Sequence, residues 1–296
     1  MLTEPLSLAN TKVPQRGLAV EAIRIYPVKA LRGYALPASP VAIWGLDHDR
    51  RWMVVQPDGR FLTQRELPPM ARIVTEATAR ALILAADAGD RLQVPVPTAA
   101  AERRLVQVWR DQVPALDAGP EAASWLSARL GLPCGLVYLN DPLARPVDPA
   151  YGMPDDRAAF SDGFPVLLAN RASLAALNDA LPDPIDMERF RPNVVVTGAA
   201  PWAEDRWRRI RIGEVVFRVA KPCARCVVTT VDQITGERPN KSEPLRTLGR
   251  MRRAPGGVMF GQNLIPDGPG RIAVGDSVEI LEAGESNVLL LPPNPE

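Results

Sequence analysis

Between Leu18 and Trp109 the chain breaks into short apolar runs at roughly 8–12-residue spacing, divided by turn residues. Val20–Tyr26 alternates until Pro27 interrupts it. Val41–Trp44 stops at Gly45. Arg51–Val55 leads into Pro57-Asp58-Gly59 and then Phe61–Thr63. Arg72–Glu76, Ala81–Leu84, Leu92–Val96 and Arg104–Trp109 continue the series. Alternation places successive side chains on opposite faces of a strand, so this half reads as a sandwich or barrel.

The texture changes near Pro120. Glu121–Leu130 has helical spacing and stops at Gly131, and Leu136–Leu139 reads as a strand. Asp141–Asp156 is a long loop rich in Pro and Asp. Pro165–Ala169 is a buried strand, after which Asn170 caps a helix over Arg171–Ala180, closed by Pro182. Asn193–Gly198 is a strand, and Trp207–Ile212 and Val215–Val219 form a hairpin. Arg271–Leu281 gives two short strands around a Gly-Asp turn. The expected class is mostly β with some helix (α+β). Two lobes are expected, residues 18–120 and 121–283, followed by a loose tail over 284–296.

A net charge of +1 gives no field that would recruit nucleic acid or a membrane surface. The longest apolar runs fall far short of the ~20 residues of a membrane span, and the N-terminal stretch has no hydrophobic signal core. Three cysteines are an odd count and suit a reducing compartment, read here as cytoplasmic. His48 is the only histidine, which excludes two-His zinc sites; it sits among Asp47, Asp49 and Arg50 as a turn residue.

Lys221–Val231 (KPCARCVVTTV) concentrates the chemistry. It holds Cys223 and Cys226 beside Lys221 and Arg225. A thiolate is the nucleophilic and metal-binding form of Cys, and nearby cations favour it. Pro222 bends the segment, and the β-branched run Val227–Val231 reads as a strand. The residues alone leave buried structural thiols, a redox pair and a metal ligand all open. Cys134, between Pro133 and Gly135, reads as structural. Arg206, Arg208, Arg209 and Arg211 make a basic run that would suit an acidic partner.

With these segments placed, the chain resembles the MOSC family, with a MOSC N-terminal β-barrel ahead of a β-barrel-like MOSC domain. The first lobe carries Tyr26-Pro27-Val28-Lys29-Ala30-Leu31-Arg32-Gly33, Gly45–Met53 and Thr63-Gln64-Arg65. The second carries Ser161-Asp162-Gly163-Phe164-Pro165, Arg189–Asn193, Ala203–Trp207, Lys221–Cys226 and Phe260–Leu264. Within the family the chain is most similar to the amidoxime-reducing components and their bacterial relatives.

That resemblance implies an oxidoreductase that reduces N-hydroxylated compounds: hydroxylamines, amidoximes and N-hydroxylated bases. It implies a molybdenum cofactor (Mo-molybdopterin) whose metal is bound by Cys226. The pterin and phosphate contacts correspond to Lys29, Arg50, Gly163, Phe164, Arg191, Asn193, Arg225 and Asn263. Arg225 is expected to hold Cys226 as thiolate, and Asp162 lies beside the site. Ala30 and Ala224 stand where relatives often have Ser. The chain has no further Cys for an iron–sulfur cluster, so electrons come from a separate donor, ferredoxin-, flavodoxin- or cytochrome b5-like with a reductase. Two other readings are a sulfur carrier using a Cys226 persulfide and a degenerate cofactor-binding module.

Overall fold

The computed structural model describes residues 17–86 and 89–292. Most elements are strands, with helices at Pro120–Leu130, Arg171–Asn178 and Leu245–Met251, so the fold is α+β. None of the described helices is long and apolar enough to cross a membrane.

A nine-stranded sheet forms the floor of the molecule. Its path runs Val278–Ala283, Trp207–Ile212, Val215–Arg225, Gly257–Pro266, Val166–Asn170, Val194–Thr197, Ala19–Ile25 and Tyr34–Leu36, with Arg253–Ala254 paired to Gly257–Pro266. Val20, Ile23, Leu168, Val196, Ile210, Phe217 and Leu264 bury one face of it. A five-stranded sheet joins Arg103–Val108, Asp111–Asp117, Gly135–Tyr138, Trp52–Val55 and Val28–Lys29.

The lobes exchange elements. Ala19–Ile25, from the first lobe's sequence, pairs antiparallel with Val194–Thr197. Gly135–Tyr138 lies beyond residue 120, yet it pairs with Trp52–Val55, and helix Pro120–Leu130 packs on the same core through Ala122 and Leu126. Strand Gly270–Ala273 pairs with Ala38–Ala42. Local alternation identifies a strand but carries no information about its partner, which long-range burial selects.

Three expectations are corrected. Val227–Thr230 is a 3₁₀ turn and not a strand. The Thr229 hydroxyl donates to Cys226 O (2.9 Å) and the Thr230 hydroxyl to Val227 O (2.8 Å), so local side-chain bonds override β propensity. The tail is tied down to residue 292: Asn287 bonds Gln262 and Asp205, Val288 is buried against Ala254 and Met259, and Leu291 N donates to Arg253 O. The basic run is largely paired, with Arg209 on Asp267 (2.8 Å), Arg211 on Glu279 (2.8 Å) and Arg206 on Glu285 (3.9 Å), while Arg208 donates to backbone carbonyls.

Candidate functional site

Strand Val215–Arg225 pairs with Gly257–Pro266 but loses register between Val219 and Lys221 and again between Pro222 and Ala224. Pro222 has no N–H to give the ladder; the first break carries an extra residue on this strand and the second an extra residue on Gly257–Pro266, and together they bend the pair. Past the bend Ala224 and Arg225 stay paired with Met259 and Val258, and Cys223, Ala224, Arg225 and Cys226 line a cleft. Asn263, opposite the bend, donates to Lys221 O and Pro222 O at 3.3 and 3.4 Å and fixes its shape.

All the sequence-identified positions meet here. Lys29, Arg50, Gly163, Phe164, Arg191, Asn193, Arg225, Cys226 and Asn263 line one cleft. Lys29 arrives on a strand parallel to Trp52–Val55. Its ammonium is buried and donates to Phe160 O (2.9 Å) and Asp162 Oδ1 (2.5 Å). Burial holds the Lys29 ammonium below its ordinary pKa, opposed by Asp162. For Asp162, burial of the carboxyl pushes upward, but Lys29, Arg65 and Trp109 outweigh it and hold the acid well below the usual range. The Asp162 side chain is nevertheless 65% exposed, so solvent screens this pair.

Arg50 and Arg191 both sit in left-handed backbone, at φ 47° and 54°. Arg50 Nη1 donates to Asp49 (2.6 Å) and Asn193 Oδ1 (2.9 Å), and its Nη2 donates to Arg191 O (3.2 Å). Asn193 also accepts from Leu167 N (3.1 Å) and donates to Arg24 O (3.1 Å), which locks three segments together. Burial, with the charge of Arg50, pushes Arg191 down to about 10, against the pull of Tyr26, Asp49 and Asp162. Arg191 Nη1 donates to Gln233 (3.1 Å), whose amide is paired both ways with buried Gln64.

The thiols divide their cations differently from the expectation. Arg225 donates to Cys223 Sγ at 2.8 Å and to Phe190 O at 2.6 Å. The reason is strand geometry: residues two apart share a face, and the next residue along points away. Cys226 instead meets Arg65, whose Nη2 lies 3.4 Å from Sγ. Arg65 in turn stacks on Trp109, 4.6 Å from the ring centre. Sequence reasoning noted Thr63-Gln64-Arg65 as a motif but gave Arg65 no role, because only folding brings it to Cys226. Arg145 was missed as well. It is buried and donates to Ala159 O (2.8 Å), Ser161 O and Asp162 O (3.0 Å), fixing the loop that carries Asp162. Neither His48 nor Cys134 lines the cleft. His48 lies in a turn beside Asp47 (3.4 Å), and Cys134 is core, its thiol raised by burial.

The cleft therefore gathers Lys29, Arg50, Arg65, Arg191 and Arg225 around a single lining carboxylate, Asp162, with Asp49 behind Arg50. Among the described residues no three His, Cys, Asp or Glu side chains converge as a metal site.

Residues 17–133 match the family model described as the MOSC N-terminal beta barrel domain, and residues 155–279 match the MOSC domain. Mitochondrial amidoxime-reducing component 1 of Homo sapiens is 33% identical over 281 residues, covering 88% of this chain and 82% of the human protein. The Mus musculus protein of the same name is 34% identical with the same coverage. The molybdenum cofactor sulfurase of Oryza sativa subsp. japonica is 29% identical over 262 residues, which span 82% of this chain but 32% of that protein. With both domain models matched in order and the two amidoxime-reducing components aligned over 82% of their length, the chain belongs to the MOSC family.

Proposed function

We propose that this protein is a molybdenum-cofactor-dependent reductase of N-hydroxylated compounds, drawing electrons from a separate redox partner. The observation that supports this most is the cleft lining: a half-exposed thiol, Cys226, held against a guanidinium in a cleft where five cations face one carboxylate. Such a lining suits an anionic cofactor with a soft metal. Thiolate is a soft ligand, and Lys and Arg grip phosphate. Two buried polar atoms in the wall, Ser161 Oγ and Arg225 Nε, lack partners. A Cβ placed on Gly163 would meet nothing within 4 Å, so the wall is open there.

In this reading Cys226 holds the metal and Lys29 and Arg191 take the phosphate. Arg50, whose Nη1 and Nη2 already donate within the protein, sets the position of Arg191 and Asn193. When bound, the cofactor supplies two-electron chemistry at the N–O bond. Two electrons and two protons convert R–NHOH to R–NH₂ and water. The protein's part is position and field: Arg65 orients the thiol, and Asp162 keeps Lys29 charged.

A second reading, a persulfide carrier on Cys226, draws on the same Arg65 contact, which suits an anionic terminal sulfur, and on the match to about a third of the sulfurase. One experiment separates them. Molybdenum and pterin are assayed in protein from a cofactor-producing host, beside Cys226→Ser, with reductase activity on benzamidoxime and a hydroxylamine. Near-stoichiometric metal, lost in the variant, with turnover is the expected result. Cyanide-labile sulfur without metal would establish the carrier, and neither would leave a degenerate binding module.

A further inference from the structure

Tyr26 is buried, and its ring is shared by two guanidiniums. Arg50 Cζ lies 4.5 Å from the ring centre and Arg191 Cζ 4.2 Å from it. The phenol donates to Pro192 O at 3.1 Å, and the backbone N–H of Tyr26 donates to Asp49 at 2.8 Å. Two like charges so close repel, and both arginines occupy a left-handed backbone that L residues avoid. The negative face of an aromatic ring attracts cations and offsets that repulsion without a carboxylate that would cancel their charge. Asp49 serves Arg50, while no carboxylate pairs directly with Arg191 among the described residues.

Tyr26 does not line the cleft. It borders a second cavity of about 290 Å³, behind the arginines, with Arg24, Arg32 and Gln233. Whatever Tyr26 contributes to ligand binding, it contributes through Arg50 and Arg191.

We infer that Tyr26 is a positioning residue, the shared aromatic support that lets Arg191, backed by Arg50, hold a phosphate monoester or free phosphate dianion in the cleft. The function of the ring is separable from that of the hydroxyl. The identity of the phosphate's carrier rests on the cofactor reading above, but the clamp itself does not.

The probe is inorganic phosphate, titrated by calorimetry into the cofactor-free full-length chain at low salt. The native chain and Tyr26→Phe bind it alike, Tyr26→Leu binds roughly tenfold more weakly, and Arg191→Gln loses it. Thermal unfolding checks that each variant folds. Equal binding by the native chain and Tyr26→Leu overturns the inference, as does equal weakening in Tyr26→Phe or no phosphate binding in the native chain. If Tyr26→Leu fails to fold, ultraviolet difference spectra decide. Phosphate shifts tyrosine absorbance in the native chain and not in Tyr26→Phe, and identical spectra overturn the role. Cofactor-loaded protein has its clamp filled and takes no free phosphate. Loaded protein that still binds it would place the cofactor's phosphate elsewhere, which counts against the Lys29–Arg191 assignment and leaves the Tyr26 support standing as a free-phosphate site.

Discussion

Arg65 and Cys226 lie 161 residues apart and meet at 3.4 Å, Nη2 against Sγ. The contact ties the first lobe's Thr63-Gln64-Arg65 segment to a sulfur that lines the cleft. A hydrogen bond to a charged group contributes about 1.5–3 kcal/mol, roughly a tenfold to hundredfold effect on binding. Arg65→Gln is expected to lower cofactor content by at least about tenfold while leaving the melting curve close to native. Metal analysis beside circular dichroism checks it.

Asp162 and Lys29 predict a pH dependence. Asp162 is held below its ordinary range, so its contribution is fully present above the unfolded carboxylate value, about 3.9, and is lost as pH falls through the folded one. Asp162→Asn leaves a buried ammonium without its counter-charge. Allowing for the exposure of Asp162, the loss is about 1–2 kcal/mol at neutral pH. The gap between native and variant stabilities should narrow as pH drops below about 4, measured by urea titration at each pH. A constant gap would refute the pairing.

Gly261 has φ 78°, and a Cβ there would lie 2.6 Å from Leu168 O, a backbone atom of the neighbouring strand. Neither the conformation nor the clash can relax cheaply. Gly261→Ala is expected to destabilise the fold by about 2–4 kcal/mol. Because Asn263 is two residues away, the variant should also hold less cofactor. Denaturant titration and metal content read the two effects.

Deleting residues 287–296 removes buried Val288 and the Asn287 contacts to Gln262 and Asp205. Area and hydrogen-bond values put the loss at about 2–4 kcal/mol. A truncated chain as stable as the native one would show that the tail only lies on the surface.

Much of this was legible beforehand, for identifiable reasons. Alternation marked the strands, and Asn170 marked its helix, accepting from Ala172 N at 3.1 Å. Motif order carried every proposed cofactor contact into one cleft. Illegible were the facts that depend on partners distant in sequence. Nothing near Ala19–Ile25 names Val194–Thr197 as its neighbour. Adjacency suggested Arg225 for Cys226, but strand alternation gave it Cys223 and left Cys226 to Arg65. The Thr229 and Thr230 hydroxyls turned a β-branched run into a 3₁₀ turn, since both can bond backward along their own chain.

The exchange of strands between the lobes sets an order on synthesis. Ala19–Ile25 leaves the ribosome early and can pair at once with Tyr34–Leu36, but its other edge stays open until Val194–Thr197 follows. Ala38–Ala42 pairs locally with Gly45–Leu46, and its other edge waits longer still, for Gly270–Ala273. Such distant pairings fold slowly, and the nascent chain carries open strand edges meanwhile. The bed beneath Cys226 needs Gly257–Pro266, among the last strands made. A translation product that stops short of Asn263, the last residue to line the cleft, therefore cannot complete it.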